Sequence, residues 1–152
     1  MPPGARRTTD AGRASPRRRS PARYLGIDIG GTKASAVVVD RTGRIRHRVG
    51  SVLHDRKDPR SVLAQIFRLV ESGLAVRPGS VRAIGVGVAA QVDSQRGSVV
   101  HAGNLGWGRV ALGPRIARRA HRPVRVLNAA MAAPYAEWRV GAARECAHDA
   151  WA

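Results

Sequence analysis

The stretch of this chain best supplied with chemistry is Asp28-Ile29-Gly30-Gly31-Thr32-Lys33. A carboxylate ends an apolar run, two glycines follow, and a hydroxyl and an ammonium come next. Glycine reaches backbone angles barred to other residues and lets a ligand approach the main chain. Backbone N–H groups, the Thr32 hydroxyl and the Lys33 ammonium can together surround phosphate oxygens. The Asp28 carboxylate can hold a magnesium ion through water. The spacing is not that of a Walker A loop, which needs G-x-x-x-x-G-K-[ST] opening a helix. It is not a dinucleotide fingerprint either, because strand-type residues follow the glycines where a helix is required. A Gly-Gly hairpin with a solvated Lys33 accounts for the same residues. Phosphate binding and a structural turn therefore stand as alternatives at this level.

Other reactive residues offer less. Cys146 and His148 have C-x-H spacing with no partner pair, which marks them as incidental and leaves no structural zinc site in the chain. His47, His54, His101 and His121 show no ligand spacing to one another and read as surface residues. A single cysteine excludes an internal disulfide framework.

The elements that must position the loop follow from periodicity. Tyr24 to Ile29 reads as a strand broken by the glycines, Ala34 to Asp40 as a second, and Ile45 to Val49 as a third after the tight turn Arg41–Arg44. Together they make an antiparallel meander. Asp58-Pro59 is a helix start with an acidic cap and Pro at the first helical position. Val62, Ile66, Leu69, Val70 and Leu74 follow at helical spacing, with Gly73 and Pro78 bracketing the end. Val81 to Val88 is a buried strand and Ser98 to His101 a short one. Leu112, Ile116 and Ala120 suit a second helix, Val124 to Leu127 another strand, and Ala129 to Val140 a third helix. Pro134 lies inside that last helix, where it costs about 3 kcal/mol or kinks it. The order predicts an α/β domain with a mixed β-sheet and flanking helices.

Composition sets outer bounds. The 152 residues carry 27 Lys+Arg against 10 Asp+Glu, a formal net charge of +17, and 25 of the 27 are arginine. Two readings of this excess stand open: a GC-biased coding sequence, or binding of polyanions. Residues 1–22 lack periodicity and read as a disordered basic tail able to give non-specific polyanion binding. Aromatic residues are 4%, too few for a platform on which single-stranded nucleic acid would stack. No apolar run reaches the ~18 residues of a membrane helix, and no apolar stretch follows the basic start as a secretory signal requires. The expected location is cytoplasmic, without membrane partners.

Four segments, in order, resemble the ROK family of bacterial glucokinases, other sugar kinases and sugar-responsive repressors. Tyr24 to Lys33 is similar to that family's first phosphate motif. Ile84 to Val88 with Val92-Asp93 is similar to its G-V-P-G-x-V-D segment, with Ala89-Ala90-Gln91 where Pro-Gly is usual. Asn104-Leu105-Gly106-Trp107 resembles its N-L-x-W segment. Pro123 to Asn128, with Ala136-Glu137-Trp138 and Gly141-Ala142, resembles the strand and helix that carry the catalytic aspartate. The resemblance covers residues 23–144, with 145–152 as a divergent tail. It implies one lobe of an actin-like (ribonuclease H-like) ATPase fold. It also implies Asp28, Gly30, Gly31, Thr32 and Lys33 at the phosphates and magnesium of Mg-ATP, and Asn104 and Asn128 at the hydroxyls of a hexose. An Asn after a strand is also a common helix cap.

The resemblance breaks at the residue that does the chemistry. The family pattern Asn-Asp-Ala-Asn carries the general base, and here it reads Asn128-Ala129-Ala130-Met131. Alanine accepts no proton, and loss of base catalysis forfeits a factor of about 10²–10⁴. The expectation is a glucokinase-like phosphotransferase lobe, truncated before the family's second lobe and impaired at Ala129. The alternatives are a non-catalytic sugar- or phosphate-binding regulatory module and a nucleic-acid-associated relative of the repressors. Without a second lobe, an exposed apolar surface favours homo-oligomers.

Overall fold

The computed structural model describes residues 21–53 and 58–140. The basic tail (1–20), His54, Cys146 and His148 lie outside the described residues, as do the side chains of Glu137 and Trp138.

Strands β1 (Arg23–Ile29), β2 (Lys33–Asp40) and β3 (Ile45–Leu53) form the meander that the sequence predicts. Helix α1 (Pro59–Ala75) then leads to β4 (Val81–Val88). A small hairpin follows, β5 (Gln91–Asp93) with β6 (Ser98–His101), then helix α2 (Leu112–Ala120), β7 (Val124–Asn128) and helix α3 (Ala129–Val140). The main sheet has five strands in the order β3-β2-β1-β4-β7. β1 pairs antiparallel with β2 and parallel with β4, and β7 pairs parallel with β4.

Alternation decides which face is core. Leu25, Ile27 and Ile29 of β1 are buried, as are Ala34, Ala36 and Val38 of β2 and Ile84, Val86 and Val88 of β4. Their partners on this face are Val62, Ile66 and Val70 of α1 and Leu112 and Ile116 of α2. The intervening residues Gly26, Asp28, Gly85 and Gly87 lie on the opposite face. Among the described residues, α3 is the helix on that side, and Leu127 and Met131 remain exposed there.

Local signals explain the elements. The Asp58 carboxylate accepts from the Arg60 amide at 3.0 Å, and Pro59 takes the first helical position. α1 ends at Ala75, between Gly73 and Pro78 as the sequence predicts, and Gly73 has a second role. It is buried within the helix because a Cβ there would stand 2.5 Å from Leu25 Cδ1. The missing side chain sets how closely α1 rests on β1. β3 continues past Val49 because Gly50, at φ +133°, lets the strand bulge and pairing resume. β5 is only three residues long and has no sequence signal of its own. Pro134 does sit inside α3.

The β2–β3 turn is held by one carboxylate. Asp40 accepts from the Thr42 hydroxyl at 2.6 Å, the Thr42 amide at 2.9 Å, the Arg44 amide at 3.2 Å and Arg46 Nε at 2.7 Å. The Thr42 hydroxyl contributes most to holding this carboxyl far below its ordinary value of 3.8, with Arg46 and the turn amides assisting. Asp93 is also lowered, first by the Arg96 amide, then by the Arg96 charge.

Two predictions follow from the packing. Gly73→Ala, ordinarily a gain in a helix, is expected to destabilise by about 1–3 kcal/mol because buried Leu25 cannot retreat. Chemical denaturation checks this, and Leu25→Val in the same chain should restore part of the loss. Because the folded Asp40 is the stronger acid, its contribution is complete above its unfolded pKa and drains away as pH falls through the folded one. The melting temperature should therefore fall more steeply below pH ~4 in the wild type than in Asp40→Asn.

Candidate active site at the carboxyl ends of the parallel strands

The three parallel strands end in one row. Ile29 is level with Val88, and Val88 with Asn128. Neighbouring strands lie about 4.8 Å apart, so Asn128 sits about 10 Å across the sheet from the end of β1. Ligands of open α/β sheets bind beyond such carboxyl ends, where loops diverge.

The loop after β1 is a tight connection. The Gly30 amide donates to the Lys33 carbonyl at 2.9 Å, leaving Gly31 and Thr32 as its tip. Neither glycine has a positive φ, so the backbone freedom expected of this pair is not what the loop uses. Of the two, Gly30 is the one that a side chain would crowd. A Cβ on Gly31 would lie 3.5 Å from Asn104 Nδ2, and one on Gly30 would press on the Lys33 carbonyl at 3.3 Å. The loop tip thus abuts Asn104, on the 3-10 turn Gly103–Leu105. That turn is anchored by Trp107, which is buried and donates from Nε1 to the Pro59 carbonyl at 3.3 Å. The amides of Gly31 and Thr32 make no backbone hydrogen bond among the described residues. With the exposed Thr32 and Lys33 side chains, the tip offers two N–H donors, a hydroxyl and an ammonium to one ligand.

Asp28 points to the other face, level with Ser35 and Gly87. The point where a Gly87 Cβ would stand is 3.8 Å from Asp28 Oδ1 and 3.7 Å from Ala129 Cα. Asp28 and Ala129 therefore flank the same gap, in a groove of about 470 Å³ floored by Gly26, Gly85 and Gly87.

Asn128 is engaged structurally. Its Oδ1 accepts from the Ala130 amide at 2.7 Å, capping α3, and its Nδ2 donates to the Ala90 carbonyl at 2.7 Å. The Ala89 amide in turn donates to the Ile29 carbonyl at 3.0 Å. The Ala89-Ala90 segment, where the family has Pro-Gly, is thereby tied to both ends of the row. One N–H and one lone pair of the Asn128 amide remain. Among the described residues, no carboxylate bonds Asn128. The described residues contain no cluster of three metal-ligating side chains. No described helix is long and apolar enough to cross a membrane.

A meander opening a mixed sheet, parallel strands crossing over through helices, and a glycine loop on the carboxyl edge make up one lobe of the actin-like fold. The match to the ROK family runs over residues 24–149, and the chain belongs to that family. It is 36% identical over 120 residues to a glucokinase of Streptomyces coelicolor, an alignment covering 77% of this chain and 36% of that protein. The fold superposes with TM-score 0.72 on a ROK family glucokinase from Streptomyces griseus in complex with glucose and AMPPNP (35% identity; 80% of this chain, 38% of that one). It superposes with TM-score 0.66 on an inorganic polyphosphate/ATP-glucomannokinase from Arthrobacter sp. strain KM (32% identity; 80% and 49%). The chain thus spans little more than a third of the glucokinases it matches.

The double role of Asn128 is testable by thermal and chemical unfolding. Asn128→Ala loses the cap and the Ala90 tether and should cost about 1–2 kcal/mol. Asn128→Asp keeps the cap acceptor but sets a carboxylate against the Ala90 carbonyl, so it should not restore wild-type stability.

Proposed function

We propose that this chain is the phosphate- and sugar-binding lobe of a ROK-type hexose kinase, with turnover impaired by alanine at the base position. The observation that carries this reading is the meeting of the Gly31 tip with Asn104 on the same sheet edge as Asn128 and Ala129. In this reading residues 23–144 form the lobe and the acceptor is a hexose such as glucose.

The donor set suits Mg-ATP. Its phosphate oxygens would take the Gly31 and Thr32 amides, the Thr32 hydroxyl and the Lys33 ammonium, with Gly30 shaping the turn behind them. Asp28 would hold magnesium through water. When bound, Mg-ATP supplies the phosphoryl group for transfer. Asn104 and Asn128 would orient the acceptor hydroxyls, since an amide offers both donor and acceptor. The hydroxyl that attacks must lose its proton, and Ala129 has no atom to take it. The carboxylate nearest the gap is Asp28, already assigned to the cation. Positioning and electrostatics are all that the lobe contributes to rate.

A second reading is a non-catalytic sugar- or phosphate-binding module. Ala129 favours it, because the base is gone while the phosphate-loop donors, Asn104 and Asn128 are kept, although Met131 stands where the family pattern has its second asparagine. Self-association through the apolar sheet face belongs to either reading.

Glucose-dependent ADP release separates the two. Under the first, Ala129→Asp should raise turnover by about 10²-fold or more, and Lys33→Ala should then abolish it. A wild-type chain that phosphorylates glucose as fast as Ala129→Asp would sink the impairment. Under the second, AMPPNP with magnesium should shift the amide resonances of Gly31 and Thr32 without turnover in either variant. The absence of any shift would remove phosphate binding altogether.

A further inference from the structure

A strongly basic surface lies on α2, away from the Gly30-Gly31 loop. Arg115, Arg118 and Arg119 lie on α2 off the stripe of buried Leu112, Ile116 and Ala120, and Arg122 follows just past the helix end. The helix carries no acidic residue. Arg115, Arg118 and Arg119 line one concavity of about 320 Å³ with Phe67 of α1.

The surface is partly built in advance. Arg119 donates from Nε and Nη2 to Glu71 Oε1 at 2.7 and 2.6 Å, and its guanidinium stands 5.2 Å from the centre of the Phe67 ring. Arg122 is pinned by donating to the Val81 and His121 carbonyls, both at 2.7 Å. Arg115 and Arg118 have no carboxylate partner among the described residues. Two free guanidinium forks thus flank a third held in place. Val81 opens β4, so this stripe runs toward the sheet edge opposite the phosphate loop.

We propose that this concavity binds a linear oligophosphate, a ligand with closely spaced charges and no bases. Planar guanidinium forks match phosphate oxygens bidentately, and the two free ones, beside an Arg119 already paired with Glu71, suit a ligand with closely spaced charges in a row. Single-stranded nucleic acid relies on exposed aromatic faces, and Phe67 already has Arg119 over its ring. The proposal does not depend on the reading of the phosphate loop.

Binding of fluorescent inorganic polyphosphate, followed by anisotropy across a salt series, tests it. Arg115→Glu with Arg118→Glu should weaken binding about tenfold or more. It should also lower the slope of log K against log salt by about 1.4, two contacts' worth. Arg41→Glu with Arg48→Glu makes the same charge change at exposed positions of the meander and should weaken binding less than threefold. Arg115→Gln with Arg118→Gln guards against misfolding and should give an intermediate loss at unchanged circular dichroism. Equal losses in the two charge-reversed pairs would overturn the site in favour of diffuse attraction. Tighter binding of a single-stranded oligonucleotide of equal charge through the same arginines would overturn the choice of ligand.

Discussion

Everything at the candidate site depends on the register of three parallel strands. β1, β4 and β7 are held so that Ile29, Val88 and Asn128 share a row. A slip of one residue in any of them would turn its buried set out of the helix-covered face. For β1 that means exposing Leu25, Ile27 and Ile29, all at most 3% exposed in the fold. Burying such side chains is worth about 1.5–3 kcal/mol each, so the core fixes the row. The row then fixes which loops meet: the glycine tip, the Ala89-Ala90 segment and the start of α3. The geometry of the candidate site is a consequence of hydrophobic alternation several residues away.

Much of this was legible in the sequence where a local signal and the tertiary demand agree. The meander follows from β-rich runs and a tight turn, and α1 starts where Asp58-Pro59 predicts. What the sequence left out turns mostly on glycine. Gly73 helps bracket the end of α1 and is also a contact with Leu25; the third strand, expected to stop at Val49, bulges at Gly50 and runs on to Leu53. The Gly30-Gly31 pair looks like a need for unusual φ, yet neither φ is positive, and a Cβ would crowd only Gly30, against the Lys33 carbonyl. A sequence shows that a side chain is missing, but the neighbour it would have struck comes from another part of the chain. β5 was hidden for a different reason, since three residues paired with β6 carry too little pattern to see. At the site, the motif residues were readable, while the tie from Asn128 to Ala90 was not, because it spans 38 residues.

The two faces of the sheet have different tasks. One is filled by α1 and α2 with branched side chains at close packing. The other has a glycine floor, with Asp28 and Ala129 at the sides of one gap and Leu127 and Met131 exposed nearby. Small residues there lower the barrier to close approach by backbone or ligand, at the expense of apolar contacts that would otherwise stabilise the fold. That asymmetry places the reactive groups on the less stabilised side, where substitutions alter the site with little effect on the core.

Ala129 shows how far the separation goes. An aspartate at the first residue of a helix usually helps the fold by opposing the positive end of the helix dipole. Its loss is tolerable here because the cap is made one residue earlier, by Asn128 Oδ1 on the Ala130 amide. The start of α3 is also tied to β4 through Ala90. The helix that would carry a base thus forms without one. No contact among the described residues penalises alanine at that position, so the fold holds the Gly30-Gly31 loop, Asn104 and Asn128 in place without a carboxylate there.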